Sequence, residues 1–531
     1  MTNNDARTEP NPVWIHRVSE AAPARPGPLH GLRFAAKDNI DVAGMPTTAG
    51  CPAFAYLPER SATAVGKLLD AGAVCLGKTN LDQFATGLSG ARSPYGSCRN
   101  AYNPAYISGG SSSGSALAVA QGEVDFALGT DTAGSGRVPA AFNNLVGLKP
   151  TKGLVSTTGV VPACRSLDCV SVFARSATQA LAVLEVMQGF DATDPYSRRG
   201  EAVPLPSAGL RFAIPRPLEF YGDADYAALF DQALDRLGGT RVAVDFAPFA
   251  AAQRLLYEGP WLAERTAQLQ PFLEAHAADM HPVTRQVVAG GGRFSAVDAF
   301  RAQYRLAELR RETEKVWEAA DVLVVPSAPT IYTLQAMQAD PIELNSRLGL
   351  YTNFVNLLDL AAITVPAGFR ADGLPFGVTL IGPAFSDRAL ATLGARFLGE
   401  PAISPDPALV RVAVVGAHLT GMPLNRQLTE RAATLVRSCR TSAAYRFYDL
   451  GDGRPGMVRG DGHGACIEVE VWEMPASRFG SFVAGIPAPL GIGTLELEDG
   501  ERVKGFVCEG HAVAGKKDIT ASGGWRNYLS K

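Results

Sequence analysis

The stretch SGGSSSGSALAVAQGEVDFALGTDTAGSGRVP, residues 108–139, carries two glycine- and serine-rich tracts with a regularly patterned segment between them. Small apolar residues at 113–121 followed by Gly122 predict a short helix, and residues 124–128 predict a buried strand. Tracts of this composition are often flexible linkers. Because each tract here adjoins patterned structure, we predict two ordered tight turns instead, one before the helix and one after the strand.

The same alternation of helix and strand continues on both sides of this stretch. Helices are predicted at 62–71, 297–320 and 387–398, and strands at 73–77, 321–326, 362–366 and 376–381. Strands that alternate with helices favour a mixed or parallel sheet with helices packed against it. We therefore predict an α/β fold with a mixed β-sheet covered by helices over roughly the first 400 residues.

Three prolines between residues 400 and 407 mark a boundary, because proline neither continues a helix nor donates to a strand ladder. The sequence predicts a first domain at 1–400, a linker at 401–410 and a second domain at 411–531. The second domain has strand patterns at 410–415 and 465–472, a helix near 476–483 and a hairpin signal at Asp499–Gly500. It is predicted to be a smaller α+β or barrel-like domain.

The composition excludes several classes of protein. The 531 residues include 49 Lys+Arg and 52 Asp+Glu, with 47% hydrophobic and 19% charged residues, so neither disorder nor nucleic-acid binding is favoured. The eight cysteines are irregularly spaced without a CxxC pair, which predicts free, mostly buried thiols and no zinc site. Residues 1–10 lack a signal pattern and no apolar run reaches a membrane span, which predicts a cytoplasmic protein that does not enter membranes.

Two familiar glycine motifs do not explain the first tract. A P-loop is excluded because no Gly-Lys-Ser/Thr follows at the required spacing. Gly110 to Gly114 formally matches a nucleophile elbow centred on Ser112, but residues 103–107 make a poor strand before it. Since all seven histidines also lie outside the motif blocks, a Ser-His-Asp triad is not favoured.

A neutral lysine is another base that can activate a serine. Lys37 follows a short apolar run that begins at Leu32, and an apolar setting disfavours the ammonium form. Lowering a pKa of ~10.4 to near neutrality requires about 4 kcal/mol, which burial can supply. Taken alone, however, a lysine at a strand end is more often a surface residue.

Taken together, Lys37, Ser111 and Ser135 resemble the catalytic residues of the amidase signature family. The intervals are 74 and 24 residues, and Ser135 lies in an Asp-x-x-Gly-Ser-x-Arg-x-Pro pattern that begins at Asp131. The resemblance implies that Ser135 is the nucleophile and that Lys37 is the terminal base. It also implies that Ser111, preceded by a cis peptide bond, passes the proton between them, since a hydroxyl both donates and accepts.

The turn around Ser135 is expected to stabilise a developing oxyanion. We predict that the backbone N–H groups of Thr132, Ala133 and Gly134, together with that of Ser135 itself, converge on this position. The charged residues of the motif, Asp131 and Arg137, are interpreted as scaffold that holds the turn through charge-assisted hydrogen bonds.

Three further segments resemble the members of this family that hydrolyse allophanate. Residues 131–150 and 257–265 carry that likeness in the first domain, and residues 412–425 carry it in the second. The likeness implies that Tyr257 and Arg265 bind the substrate carboxylate, which suits the planar fork of arginine. An interval of eight residues would place both on similar faces of one helix. Without the likeness, both would be interpreted as helix-surface residues.

The resemblance thus implies hydrolysis of allophanate to ammonia and carbon dioxide through a serine acyl-enzyme, the step after urea carboxylase in urea degradation. It implies a homodimer, a possible urea carboxylase partner, and no metal or organic cofactor. His418 is the candidate residue for a decarboxylation in the second domain, although that domain could instead be a docking or dimerisation module. Another amidase of the family, either an aliphatic amidase or the amidase component of an aminoacyl-tRNA amidotransferase, remains the alternative.

Overall fold

The computed structural model describes residues 11–19, 24–206, 209–403, 409–431, 433–460 and 462–530. The chain forms two compact units, Met1–Gly200 with Arg211–Ile403, and Glu201–Leu210 with Ser404–Lys531. The predictions for residues 1–10 and for the middle of the linker, residues 404–408, lie outside the described residues.

The first unit is built on an 11-stranded mixed sheet, as the alternation of elements predicts. In chain order its strands are β1 Trp14–Arg17, β2 Arg33–Lys37, β3 Val74–Thr79, β4 Phe126–Asp131, β5 Val146–Lys149, β6 Cys169–Ala174, β7 Arg211–Arg216, β8 Thr240–Asp245, β9 Val322–Pro326, β10 Leu360–Phe369 and β11 Pro375–Pro383. Their order across the sheet is β1-β3-β2-β4-β6-β5-β10-β11-β9-β7-β8. Strand β2 runs parallel to both β3 and β4, whereas β4 and β6 are antiparallel.

Fourteen α-helices accompany this sheet in the described part of the unit. They are α1 Thr63–Asp70, α2 Ser113–Ala120, α3 Val138–Phe142, α4 Ala177–Met187, α5 Ala224–Leu237, α6 Ala247–Tyr257, α7 Trp261–His276, α8 Pro282–Ala289, α9 Ala296–Glu314, α10 Val316–Ala319, α11 Leu334–Ala339, α12 Glu343–Leu348, α13 Asn353–Leu357 and α14 Asp387–Leu398. None of the helices among the described residues is long and apolar enough to cross a membrane.

The prediction of one continuous helix at 297–320 is wrong, because the structure divides this segment at Lys315 into two helices, α9 and α10. Just before the break, the hydroxyl of Thr313 donates to the carbonyl oxygens of Leu309 and Arg310. A threonine that bonds back to the preceding turn competes with the helical ladder and often bends a helix.

The second unit contains a five-stranded and a three-stranded sheet. Its elements are β12 Leu409–Val414, α15 Arg426–Thr429, β13 Thr434–Arg440, β14 Tyr445–Asp449, β15 Pro455–Arg459, β16 Glu468–Pro475, α16 Ala476–Ala484, β17 Leu490–Glu496, β18 Arg502–Cys508, β19 Lys517–Asp518 and α17 Trp525–Leu529. The predicted hairpin is confirmed, since Gly500 takes a φ of +85° between β17 and β18. The unit is an α+β domain rather than a barrel.

The sheet of the first unit brings two loops together at one edge. Because β2 and β4 are parallel neighbours, their carboxyl ends lie on the same side of the sheet. Lys37 ends β2, and Asp131 ends β4 and begins the turn that holds Ser135. Helix α2 is tied to β4 through Ser115, whose hydroxyl donates to the carbonyl oxygen of Leu128. The first glycine tract, which precedes α2, is thereby fixed near the second.

Candidate active site

Lys37 is completely buried and lies between the two glycine-rich turns. Its Nζ donates to Ser111 Oγ and to Thr130 Oγ1, both at 2.8 Å. The lysine is the last residue of its strand rather than a residue beyond it. Sequence reasoning missed Thr130, which lies beyond the predicted strand at 124–128 but on the observed strand Phe126–Asp131. Its position immediately before Asp131 of the motif could have indicated it.

Burial lowers the pKa of Lys37 to about 7. The negative charges of Asp82, Asp168 and Asp131 oppose this effect, and the positive charge of Arg265 adds to it. A lysine with this pKa is neutral in about half of the molecules near pH 7, and only the neutral amine can accept a proton. The complete burial of Lys37 agrees with the apolar setting predicted for it and excludes the surface position expected of a lone lysine at a strand end.

The turn before α2 presents Ser111 to the lysine. The peptide bond between Gly110 and Ser111 is cis. A Cβ at Gly110 would stand 2.2 Å from Asp82 Oδ2 and 2.6 Å from the backbone nitrogen of Gly90, so only glycine fits. The adjacent Ser112 donates its hydroxyl to the carbonyl oxygen of Thr130 at 3.2 Å, which makes it part of the scaffold.

The second turn, which holds Ser135, is organised by a buried ion pair. Arg137 Nε and Nη2 donate to the two carboxylate oxygens of Asp131, each at 2.9 Å. The same carboxylate accepts from the N–H groups of Gly134 at 2.8 Å and Gly136 at 3.0 Å, the two neighbours of Ser135. Burial by itself would raise the pKa of Asp131, but Arg137 and these donors hold it below its ordinary value. The scaffold role predicted for Asp131 and Arg137 is confirmed.

The hydrogen bond of Gly134 changes the set of oxyanion donors. Its N–H is directed to Asp131 Oδ1, so it is engaged with the scaffold and removed from the predicted set. The N–H groups of Thr132, Ala133 and Ser135 make no hydrogen bond to another residue in the described part of the chain. Of the three predicted oxyanion donors, the N–H groups of Thr132 and Ala133 therefore remain available.

The hydroxyl of Ser135 is likewise without a hydrogen bond to any residue that the structure describes, and its side chain is almost buried. The structure thus shows the contact of Lys37 with Ser111 but not the further hydrogen bond from Ser135 to Ser111. Such catalytic hydrogen bonds often form only when substrate is bound.

Tyr257 and Arg265 meet, but not on one helix. Tyr257 ends α6 and Arg265 lies in α7, because residues 258–260, which include Gly259 and Pro260, separate two helices. The prediction of a single helix is therefore wrong. The guanidinium of Arg265 nevertheless lies over the Tyr257 ring, 5.7 Å from its centroid.

Arg265 is buried, and part of its guanidinium has no hydrogen-bond partner among the described residues. Only 2% of the residue is exposed. Nη1 donates to Thr86 Oγ1 at 2.8 Å, whereas Nε has no partner among the described residues. A buried, unpartnered guanidinium N–H is costly unless a polar group meets it. The arrangement is suited to an anion that the protein itself does not supply.

The first unit also contains a cleft of about 360 Å³, whose lining does not include Tyr257 or Arg265 themselves. Its lining includes Arg165, Asp168 and Gln268, the last of which lies on α7 with Arg265. A space of this size accommodates a small ligand.

His418 lies in the second unit, in a 3₁₀ turn after β12. Its ring stacks on Phe506 with centroids 4.9 Å apart, and its Nε2 lies 3.1 Å from Gln427 Oε1. Burial lowers its pKa, against the effect of Gln427. Together with Arg454 and Met457 it lines a cavity of about 230 Å³.

All eight cysteines are free, and six are buried, as the sequence predicts. The chain also has no group of three or more His, Cys, Asp or Glu side chains suited to a metal ion within its described ranges.

Comparison with known proteins agrees with this architecture. Residues 15–391 match the family model for amidases, and residues 410–530 match the model described as the allophanate hydrolase C-terminal domain. The chain belongs to the amidase family. The family resemblance and the fold class predicted from the sequence are confirmed.

Particular relatives are similar over most of the chain. It is 45% identical to the urea amidolyase of Saccharomyces cerevisiae across 94% of this chain and 30% of that protein. It is 44% identical to the urea amidolyase of Lachancea kluyveri across 98% of this chain and 31% of that protein. The chain thus spans about a third of the length of the urea amidolyases that it matches.

A solved structure shows the same likeness in three dimensions. Kluyveromyces lactis allophanate hydrolase superimposes with a TM-score of 0.77 at 45% identity, over 95% of this chain and 89% of that one. The first unit alone has a second group of relatives, the glutamyl-tRNA(Gln) amidotransferases. The matching polypeptide of the Synechococcus enzyme is 35% identical, across 73% of this chain and 87% of that protein.

Proposed function

We propose that this protein hydrolyses allophanate to ammonia and carbon dioxide, acting after a urea carboxylase in the degradation of urea. The observation that carries the proposal is Arg265, whose buried Nε–H has no partner among the described residues and whose charge acts on the base Lys37. A cation placed beside an amide-cleaving base selects an amide that also bears a carboxylate. The likeness to allophanate hydrolase across both units supports the same substrate.

The proposed reaction begins with Ser135 Oγ, which attacks the carbonyl carbon that bears the terminal amino group of allophanate. Its proton passes to Ser111, whose own proton passes to the neutral Nζ of Lys37. The N–H groups of Thr132 and Ala133 stabilise the oxyanion, each donor contributing ~3 kcal/mol. The protonated Nζ of Lys37 then returns a proton to the departing amino group, which leaves as ammonia.

Water then attacks the acyl-enzyme, again with Lys37 as the base, and releases N-carboxycarbamate. This product loses carbon dioxide to leave carbamate, a step that we assign to the second unit with His418 as its candidate residue. Carbamate then breaks down to the second ammonia and a second carbon dioxide. In the rival interpretation, the second unit is a non-catalytic module for interaction or dimerisation.

Arg265→Ala is expected to raise KM for allophanate by about a hundredfold with little change in kcat. A charged hydrogen bond is worth ~2–3 kcal/mol, and loss of a binding contact that is equal in substrate and transition state appears in KM. Steady-state kinetics of ammonia release would measure this change.

The control for this variant is Arg254→Ala, in the last turn of α6, which removes an exposed arginine from the neighbouring helix. It should leave KM unchanged. An unchanged KM in the folded Arg265→Ala protein would remove Arg265 from the binding site.

His418→Gln is expected to leave release of the first ammonia intact while N-carboxycarbamate persists and the second ammonia is delayed. Gln keeps a polar group within reach of Gln427 but cannot exchange a proton near neutral pH. Carbon-13 NMR of quenched reactions with labelled allophanate would follow both species. If carbon dioxide forms at the wild-type rate, His418 has no catalytic role, and the interaction module becomes the better interpretation.

We propose further that the chain consists of a first domain at 1–400, a linker at 401–410 and a second domain at 411–531, and that it acts as a homodimer in the cytoplasm. The likeness to an aminoacyl-tRNA amidotransferase favours one rival function, hydrolysis of a simpler amide such as glutamine. Arg265 argues against it if its Nε–H meets a carboxylate close to the amide, because the carboxylate of glutamine lies three carbons from its amide whereas that of allophanate is one nitrogen away.

A further inference from the structure

Asp168 is a buried acid for which the proposed mechanism has no role. It lies immediately before β6 and is 6% exposed. Its Oδ1 accepts the hydroxyl of Thr132 at 2.5 Å, and its Oδ2 accepts the N–H of Ala163 at 2.8 Å. The N–H of Cys164 lies 3.2 Å from both oxygens. One carboxylate therefore joins the loop before β6 to the turn of the nucleophile.

The hydrogen bond between Thr132 and Asp168 matters because Thr132 belongs to the turn that holds Ser135. Thr132 supplies one of the N–H groups left for the oxyanion, and it precedes Ser135 by only three residues in the same turn. Asp131 fixes the far side of this turn through Gly134 and Gly136. On the near side, the bond to Asp168 is the side-chain anchor of Thr132.

Asp168 also acts on the base. The charges that act most strongly on Lys37 are those of Asp82, Asp168, Asp131 and Arg265. Asp131 is neutralised by its ion pair with Arg137, whereas Asp168 is held by a hydroxyl and backbone N–H groups and forms no ion pair within the described ranges. Its charge therefore acts on Lys37 and Arg265 without a counterion of its own.

The environment of Asp168 includes further ionisable groups. Arg265 faces it from α7, and the thiol of Cys164 lies in its own loop. Arg165 and Asp194 line the cleft that it reaches. Burial raises the pKa of Asp168 to about 6, against its hydrogen-bond donors and Arg265. It is accordingly an anion over most of the range in which Lys37 titrates.

We propose that Asp168 is a positioning residue of this active site, which anchors the oxyanion turn through Thr132 and sets the protonation of Lys37 through its negative charge. The proposal rests on the assignment of Ser135 and Lys37 above, but not on the identity of the substrate.

The test is Asp168→Asn. The side chain has the same shape, its oxygen can still accept from Ala163 and Cys164, and its NH₂ can donate to the Thr132 hydroxyl. Loss of the charge favours neutral Lys37, so the acidic limb of the pH–rate profile should move to lower pH by ~1 unit. The rate would be that of covalent labelling of Ser135 by a fluorophosphonate probe, measured from pH 5 to 9 on the full chain.

A second variant, Thr132→Val, separates the two parts of the proposal. It retains the charge of Asp168 and removes its anchor, so the plateau rate of labelling should fall about tenfold while the acidic limb does not move to lower pH. Thermal unfolding of both variants checks that they are folded.

A limb that stays in place in folded Asp168→Asn would overturn the electrostatic role, and a normal plateau in Thr132→Val would overturn the anchoring role. Because the probe reports on Ser135 alone, a shifted limb in an enzyme that does not turn over allophanate would support this proposal and refute the proposed substrate.

Discussion

Ser135→Ala is expected to lower kcat for amide hydrolysis by about 10⁴-fold or more, because no other group in the turn can form the acyl-enzyme. Loss of the nucleophile in a serine hydrolase leaves only the contribution of substrate binding and the oxyanion donors. The scaffold of the turn is made by Asp131 and Arg137 and does not involve the Ser135 hydroxyl. The variant should therefore fold and bind substrate with little change in affinity.

The matched control is Ser113→Ala, a second buried serine at the first position of α2. Its hydroxyl contacts the carbonyl oxygen of Asn80 at 3.5 Å and the thiol of Cys98, neither of which belongs to the proposed catalytic residues, so its removal should cost little activity. Ammonia release by the two variants would be compared under saturating substrate. Substantial turnover by Ser135→Ala would contradict its role as nucleophile.

Lys37→Met is expected to lower kcat/KM by about 10³- to 10⁴-fold, the contribution of general base catalysis. Methionine is unbranched, of similar length and without charge, so it can occupy the buried position of the lysine. The variant leaves Ser111 and Ser135 in place without a base for their protons. Lys67→Met, in the last turn of α1, is the control that removes a lysine away from the site.

The pH dependence of kcat/KM tests the role of Lys37 as the base more directly than the loss of activity in Lys37→Met. With a pKa of about 7, Lys37 is protonated and inactive at lower pH, so kcat/KM of the native protein should fall about tenfold per pH unit below pH 7. Above pH 7 the rate should level off. The acidic limb should be absent in Lys37→Met, and its persistence there would assign the ionisation to another group.

Much of the fold could be predicted from the sequence, because local residues such as glycine mark where several helices and strands end. The helix at Asp387–Leu398 ends at Gly399, which takes a left-handed φ of +71°, and the hairpin turns at Gly500. Local backbone preferences of this kind are readable without knowledge of the tertiary structure. The helix break at Lys315 could not be read from the sequence in this way, because it depends on which carbonyl oxygens the Thr313 hydroxyl reaches.

The candidate site was predictable where its residues form a motif. Lys37, Ser111 and Ser135 stand in such a motif, whereas Asp168 lies in an ordinary loop and becomes notable only when folding places it against Thr132, where its charge acts on Lys37. The engagement of the Gly134 N–H by Asp131 is likewise a matter of three-dimensional geometry. Long-range electrostatics and the direction of a single N–H are not recorded in sequence spacing.

The most direct test of the proposed function is the rate of ammonia release by the purified protein with allophanate, compared with acetamide and glutamine. We predict that kcat/KM for allophanate exceeds that for acetamide by about 10²-fold or more, since acetamide has no carboxylate to meet Arg265. Glutamine should also be a poor substrate, because its carboxylate lies three carbons from its amide rather than one atom away. Comparable rates for allophanate and acetamide, or no ammonia from allophanate, would contradict the account.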